Sequence, residues 1–416
     1  MACWRRCVAW GWSLNNSPLN SAIRHTSRLW KRHMLASIRK VAATRTGQPT
    51  VVGIFRAASG IGSGARVIFR ALRANGYSPA LIDLTDRLAP DQPHFDWSPG
   101  GALPDDDGRG PVILHLNPPE VPFALSMLGA ERLRHRYRVG MWAWELERMP
   151  SDWQREVSYF NEIWAPSNFT ADAIRAGAPG ADVWCVPYAL EAEPFAAADG
   201  GRWRRQLAPN GERIVFCAFD ARSSMSRKNP AAAIEIFRTA LGECTDACLV
   251  LKVSNSSWDG ASRHELMARI GGDSRIRLLT GTLDGAEMNS LIAAADVYLS
   301  PHRSEGFGFM LVKSLLAGVD VMMTGWSGNA DFCDLPGTHV IDSHLVPVHD
   351  ASGVYGRRGR WAEPNIAMAG RTLKALLAAP RDAQRRASIA EIAATRFSPD
   401  GWGQRLSARF KAHTLL

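Results

Sequence analysis

Acidic side chains are absent from the opening of the chain: no Asp or Glu precedes Asp83, whereas residues 1–48 carry nine Lys and Arg, equal to the formal net charge of +9 of all 416 residues. The basic excess is therefore local, and it does not make the whole chain a binder of polyanions. Cysteine is scarce and scattered. The seven residues, at 3, 7, 185, 217, 244, 248 and 333, are odd in number, and Cys244 and Cys248 lack a second Cys or His pair that would complete a zinc site. They read as the reduced cysteines of a cytoplasmic protein. No run of about 20 residues is free of charges and turn formers, which argues against a membrane-spanning helix. No continuous apolar core with a small-residue cleavage pattern follows the first arginines, so a secretory signal is not expected here. Internal repeats and low-complexity tracts are missing too.

If residues 22–41 form a helix, Ile23, Trp30, Met34, Ile38 and Val41 share one face and Arg24, Arg28, Arg32 and Arg39 lie broadly opposite. Such a basic amphipathic helix suits an anionic membrane surface, which would put a cytoplasmic protein in peripheral contact with the inner face of the membrane. Two other readings of residues 1–48 stay open: a disordered tail, and a start codon placed too early with Met34 as the true start. Nucleic acid is not expected as a partner, since this tail alone suggests it.

What is present is concentrated between Asp296 and Phe332, DVYLSPHRSEGFGFMLVKSLLAGVDVMMTGWSGNADF. Asp296 to Ser300 reads as a buried strand, Glu305 to Gly308 as a glycine-bearing turn, Phe309 to Ala317 as an apolar helix closed by Gly318, and Val319 to Thr324 as a second strand. This is a unit of a parallel α/β sheet with its loop at the carboxyl end of a strand, where open sheets bind ligands. Glycines at 306 and 308 let a ligand approach the backbone, and the free N–H groups of the helix start favour a phosphate.

At these residues the sequence resembles the retaining, nucleotide-sugar-dependent glycosyltransferases of family 4, whose signature is E-x7-E within a segment like EGFG…E-A-x-A-x-G. The resemblance implies a GT-B α/β architecture: two facing Rossmann-like domains with a C-terminal helix crossing back to the first. It makes Glu305 the first acid, contacting hydroxyls of the donor sugar. The second acid is replaced by Lys313. Where the family glutamate accepts hydrogen bonds from ribose, an ammonium has donors only, and the loss is worth about 1.5–3 kcal/mol. Gly306, Phe307, Gly308, Phe309, Lys313, Ser327, Gly328 and Asn329 are the donor-binding candidates. In the loop FDARSSMSRKNP, Arg222 and Lys228 have the spacing of the family's diphosphate-binding Arg and Lys. Fixed cations there would stabilise charge building on the leaving phosphate. Arg227 lies between them. The family's donor is a co-substrate, and neither a cofactor nor a metal is expected.

Ahead of this unit, Val51 to Phe55 reads as a strand, Ala57 to Gly64 as a loop, Ala65 to Asn75 as a helix and Pro79 to Leu84 as a strand. Gly60, Gly62 and Gly64 followed by Asp83 loosely match a dinucleotide fingerprint. The resemblance instead places this loop on the acceptor side of the cleft, with Gly62 and Ser63 as candidates. His115 and Asn117 at the end of the strand from Val112, and Glu145 behind the strand Val139 to Trp144, are further acceptor-side candidates. Asp105 to Asp107 contains a formal D-x-D, read as solvated acid in a surface loop.

The domain reading is a basic extension over 1–48, an acceptor domain over 49–190, a linker over 191–211, a nucleotide-sugar domain over 212–380 and returning C-terminal helices over 381–416. The resemblance implies a bacterial-type retaining hexosyltransferase of polysaccharide biosynthesis, moving a sugar from a UDP- or GDP-linked donor to a glycan or lipid-linked acceptor. Two alternatives remain: a catalytically impaired nucleotide-sugar-binding protein, motivated by Lys313, and an NAD-binding Rossmann enzyme.

Overall fold

The computed structural model describes residues 47–254, 260–350, 352–356 and 359–412. The amphipathic reading of residues 22–41 lies outside them. Two six-stranded parallel sheets organise the described chain. The first runs in the order β2-β1-β3-β4-β5-β6, with β1 Thr50–Gly53, β2 Ala80–Asp83, β3 Val112–Leu114, β4 Arg138–Met141, β5 Glu162–Ala165 and β6 Val183–Cys185. The second runs β12-β11-β10-β7-β8-β9, with β7 Arg213–Asp220, β8 Ala247–Ser254, β9 Ile276–Thr280, β10 Val297–Ser300, β11 Asp320–Thr324 and β12 Thr338–Ile341. A two-stranded antiparallel ribbon pairs β13, Ser343–Pro347, with β14, Arg360–Pro364. Strands such as VVG, VIL and VFCAF are near-continuous apolar runs because helices cover both faces of a parallel sheet.

Each sheet has one place where the strand order reverses: β1 beside β3 in the first, β7 beside β10 in the second. The loops that leave these four carboxyl ends point into one interdomain cleft. An apolar cluster joins the two sheets. It runs from Val51 and Phe55 through Tyr188, Leu190, Phe307 and Phe397 to Ile214 and Phe216, all buried. The final helix, Pro399–Ala412, then returns to the first domain. Trp402 and Leu406 are buried, and Asn75 Nδ2 donates to the Pro399 carbonyl at 2.9 Å.

Three expectations change. The first helix begins at Gly60, five residues before the reading from sequence, because Ser59 caps it by accepting from the Gly62 amide at 3.2 Å. Residues 191–211, read as a linker, are structured. They hold the short helices Glu193–Ala196 and Gly201–Leu207, anchored by buried Phe195, Trp203 and Leu207. Asp106 is not solvated: its carboxylate lies 2.7 Å from the buried Arg136 guanidinium and accepts from Thr50 Oγ1 at 2.9 Å, so the D-x-D loop is a structural tie.

The glycines of the first loop have packing reasons that owe nothing to a dinucleotide. A Cβ at Gly62 would lie 2.3 Å from the Ala57 carbonyl oxygen, and one at Gly64 2.3 Å from His115 Nε2 and 2.8 Å from the Tyr188 hydroxyl. Asp83 is already engaged by the Arg56 guanidinium at 2.7 Å. Gly60, by contrast, has open space around it. Gly64→Ala should therefore destabilise the protein by about 1–3 kcal/mol through overpacking, whereas Gly60→Ala should be neutral within about 0.5 kcal/mol. Thermal or chemical denaturation of the two variants checks the difference.

Candidate active site

Glu305 stands in the loop after β10, and Lys228 ends a short helical turn, Met225–Lys228, in the loop after β7. The reversal of strand order between β7 and β10 brings them together although 77 residues separate them: the Lys228 ammonium donates to Glu305 Oε1. Arg227 approaches the other carboxylate oxygen at 3.4 Å and reaches Glu145 of the first domain at 3.8 Å. It also donates to the Ser304 carbonyl at 2.8 Å and lies over the Tyr355 ring. Burial pushes the Glu305 carboxyl up, but Lys228 and Arg227 more than offset it and hold it at about 2. The buried Arg227 guanidinium is disfavoured by desolvation, yet Tyr355, Glu145 and Glu305 together raise its pKa. This cluster is charged and largely dry, the condition in which electrostatics act most strongly.

The motif loop is supported from behind. The Glu305 amide donates to Ser327 Oγ at 2.8 Å, and the Gly328 amide donates to the Glu305 carbonyl at 2.8 Å. His302 is fully buried; its Nε2 donates to Asn329 Oδ1 at 2.9 Å, an orientation set by Asn329 Nδ2 donating to the Thr324 carbonyl at 2.8 Å. Ser327, Gly328 and Asn329 therefore do not line the cleft, contrary to the sequence expectation. They are buried and occupied in holding the loop, and a Cβ at Gly328 would meet the Gly306 carbonyl oxygen at 2.1 Å.

Gly306, Phe307, Gly308 and Phe309 do line the cleft. Gly308 sits at φ +97° as the N-cap of the helix Phe309–Leu316, a left-handed backbone that favours glycine, and no side chain caps the helix start. Its first amides face a volume of about 1720 Å³ between the domains. Phe307 and Phe309 flank the Tyr188 ring at centroid distances of 5.1 and 4.7 Å. Arg222 lines the same cleft but turns back on Asp220, with Nη2 at 3.2 Å, and does not touch Glu305 or Lys228. Lys313 lines the cleft half-buried.

On the acceptor side the expectations divide. Ser63, Asn117 and Glu145 line the cleft. Gly62 and His115 do not: Gly62 is packed in the first helical turn, and His115 is fully buried with its Nε2 2.8 Å from the Tyr188 hydroxyl. Burial holds His115 near 4, and its ring does not reach the cleft. The sequence reading missed Glu120. Its carboxyl lines the cleft, one oxygen is covered without a hydrogen-bond partner, and burial raises it to about 7. The dipeptide Pro119-Glu120 ahead of an apolar helix was the available signal, but it reads equally as an exposed turn. Arg227 was visible in the basic loop, and its burial was not.

The model of the family described as family 4 glycosyltransferase in conflict systems matches residues 187–401, more than half of the chain. The chain belongs to this family. Comparison with curated proteins by sequence finds no match to this glycosyltransferase. Among solved structures, Anabaena HepE in complex with UDP and glucose aligns with a TM-score of 0.60 at 13% identity, over 88% of this chain and 100% of that one. A glycosyltransferase from Rickettsia africae gives 0.62 at 13% identity over 88% and 99%. WaaG, a glycosyltransferase involved in lipopolysaccharide biosynthesis, gives 0.55 at 12% over 85% and 98%. These likenesses establish the GT-B fold. Among the described residues no helix of the glycosyltransferase is long and apolar enough to cross a membrane.

The buried titratable groups give the glycosyltransferase a pH signature. His115 and His302 are each held near 4 by burial, so between about pH 6.5 and 4.5 the unfolded chain binds two protons there that the folded chain does not. Glu120, raised to about 7, acts in the opposite sense over the same window. The net of one proton makes stability fall by about 1.4 kcal/mol per unit as pH drops. Glu120→Gln removes the opposing group and should roughly double that slope. Denaturant midpoints measured between pH 6.5 and 4.5 check both statements; a level profile in both proteins contradicts them.

Proposed function

We propose that this glycosyltransferase moves a sugar from a nucleoside-diphosphate donor, a UDP-linked one in the first instance, to an acceptor hydroxyl with retention of configuration. The observation that carries the reading is the Lys228–Glu305–Arg227 cluster beside the uncapped Gly308 helix start, at the switch point of the second sheet. A diphosphate there meets Lys228, Arg222 and helix amides, which supply positive charge as the leaving phosphate develops its own. Arg222 would have to turn from Asp220 to join them. Glu305, ionised at every physiological pH, accepts from sugar hydroxyls. We assign the leaving-group charge to these groups and not to a metal. The fold neighbour Anabaena HepE, seen in complex with UDP and with UDP-glucose, supports the choice of base.

Retention is consistent with a front-face reaction in which the departing phosphate takes the acceptor proton, since no side chain in the cluster is both free and nucleophilic. Ser63, Asn117 and Glu120 would orient the acceptor from the opposite wall, which suits a glycan or lipid-linked alcohol. A second reading, nucleotide-sugar binding without turnover, is favoured by one feature, the lysine at 313.

Lys228→Ala should weaken UDP binding by roughly 10- to 150-fold, the loss of a charge-assisted contact, and lower turnover by at least about 100-fold. Glu305→Gln should keep most of the UDP affinity and lose turnover. Calorimetry with UDP and UDP-sugars, paired with an assay of sugar release or transfer, tests the proposal. Wild-type turnover in Lys228→Ala would sink the assignment, and tight UDP-sugar binding with no release or transfer in any condition would favour the binding protein.

A further inference from the structure

Helix Gly60–Ala74 of the first domain and helix Phe309–Leu316 of the second face one another across the cleft. Arg66 and Arg70 are one turn apart on the former, hence on one face, and both line the cleft, as does Lys313 on the latter. None of the three makes a direct ion pair among the described residues, and the one carboxylate that acts on them, Asp83 on Arg66, does so from a distance. Arg66 is spent on neutral acceptors: the Phe55 carbonyl, the Ala57 carbonyl at 3.1 Å and Ser63 Oγ at 3.0 Å, with its guanidinium over the Phe95 ring. Arg70 is exposed and Lys313 half-buried, and neither side chain makes a hydrogen bond or ion pair among the described residues. The charges that act on Lys313 are those of Arg66 and Arg70, of its own sign.

Two like charges on one wall and one on the other oppose each other across a partly dry gap. A half-buried ammonium with cationic neighbours is unfavourable unless an anion arrives, and burial together with those neighbours draws Lys313 down to about 8. We infer that Arg66, Arg70 and Lys313 form a second anion site that takes a phosphate monoester, or a comparable dianion, carried by a ligand lying across the cleft. The inference deepens the donor reading above and rests on it for what occupies the first site. Lys313 is three or four residues beyond the helix-start amides of Phe309 and Met310 assigned to the diphosphate, roughly 4.5–6 Å along the helix axis. One nucleotide-sized ligand can bridge positions this close. The second phosphate therefore comes either from the ribose of the donor nucleotide or from a phosphorylated acceptor. In both cases it joins the two walls, so ligand charge is coupled to the spacing of the domains. The lysine that cannot accept from a ribose hydroxyl is suited to this anion, to which it donates.

Two ligand pairs, titrated calorimetrically into the full chain at fixed ionic strength, separate the sources. One pair is UMP and uridine 3′,5′-bisphosphate; the other, with UDP saturating, is glucose and glucose 6-phosphate. The extra phosphate should tighten binding by roughly 10-fold or more in one pair, and that pair names the source. In a Lys313→Met, Arg70→Gln double variant the ratio should fall to within about 3-fold. Its melting temperature without ligand should be no lower than that of the wild type, because an unpaired half-buried ammonium has been removed. Equal affinities within both pairs in the wild type, or a ratio that survives the double substitution, would overturn the second site. A protein that ignores UDP yet discriminates glucose 6-phosphate from glucose in its absence keeps the second site and loses the donor reading.

Discussion

A carboxylate taken out of water needs cations fixed beside it, and the arrangement around Glu305 follows from that need. Its two oxygens are met by Lys228 and Arg227, and both cations come from the loop of a strand that is a neighbour only because the sheet order reverses between β7 and β10. Arg227 in turn reaches Glu145 of the first domain, so the same group that neutralises Glu305 also ties the two halves together. Ser304, which donates to the Glu145 carbonyl, and Ser167, which donates to the Gly306 carbonyl at 2.7 Å, close the joint around it. The rigid loop, the dry cluster and the facing domains are parts of one electrostatic solution.

The rest of the motif loop divides between contact and support. Gly306 to Phe309 present backbone to the cleft, while Ser327, Gly328, Asn329 and His302 fill the space behind with satisfied hydrogen bonds. A site needs both kinds of residue, because an ionised side chain aimed at a ligand is only as well placed as the backbone that carries it. The same division appears on the first wall. His115 and Gly64 fit together under Tyr188, and this leaves Ser63, Asn117 and Glu120 as the side chains that face the opening. The departure at Lys313 belongs with these observations, since it places a cation on the second wall of the cleft opposite Arg66 and Arg70.

Much was legible in the sequence where the signal is local. The strand, helix and strand read between Asp296 and Thr324 match β10, the helix Phe309–Leu316 and β11 to within one residue at each end, and Gly308 and Gly318 mark backbone turns at positive φ. Charge spacing in the loop after β7 pointed to Lys228, and the EGFG segment to Glu305. Boundaries failed where a cap competed with glycine, as at Ser59 before Gly60, and where apolar anchors lay among polar residues, as with Phe195 and Trp203 in 191–211.

The sequence by itself determined the element types, the two α/β sheets, the anion-favouring helix start and the family likeness, because each of these depends on neighbours within a few residues. Only the tertiary structure decided which polar side chains face the cleft and which are walled in. Ser327 and Asn329 moved to the back of the site, Arg227 and Glu120 proved to line it, buried and half-buried in turn, and Asp106 became an ion pair. Burial and charge pairing are properties of contacts between strands and loops far apart in the chain, 77 residues for Lys228 and Glu305 and 159 for Ser304 and Glu145, and no local pattern encodes them.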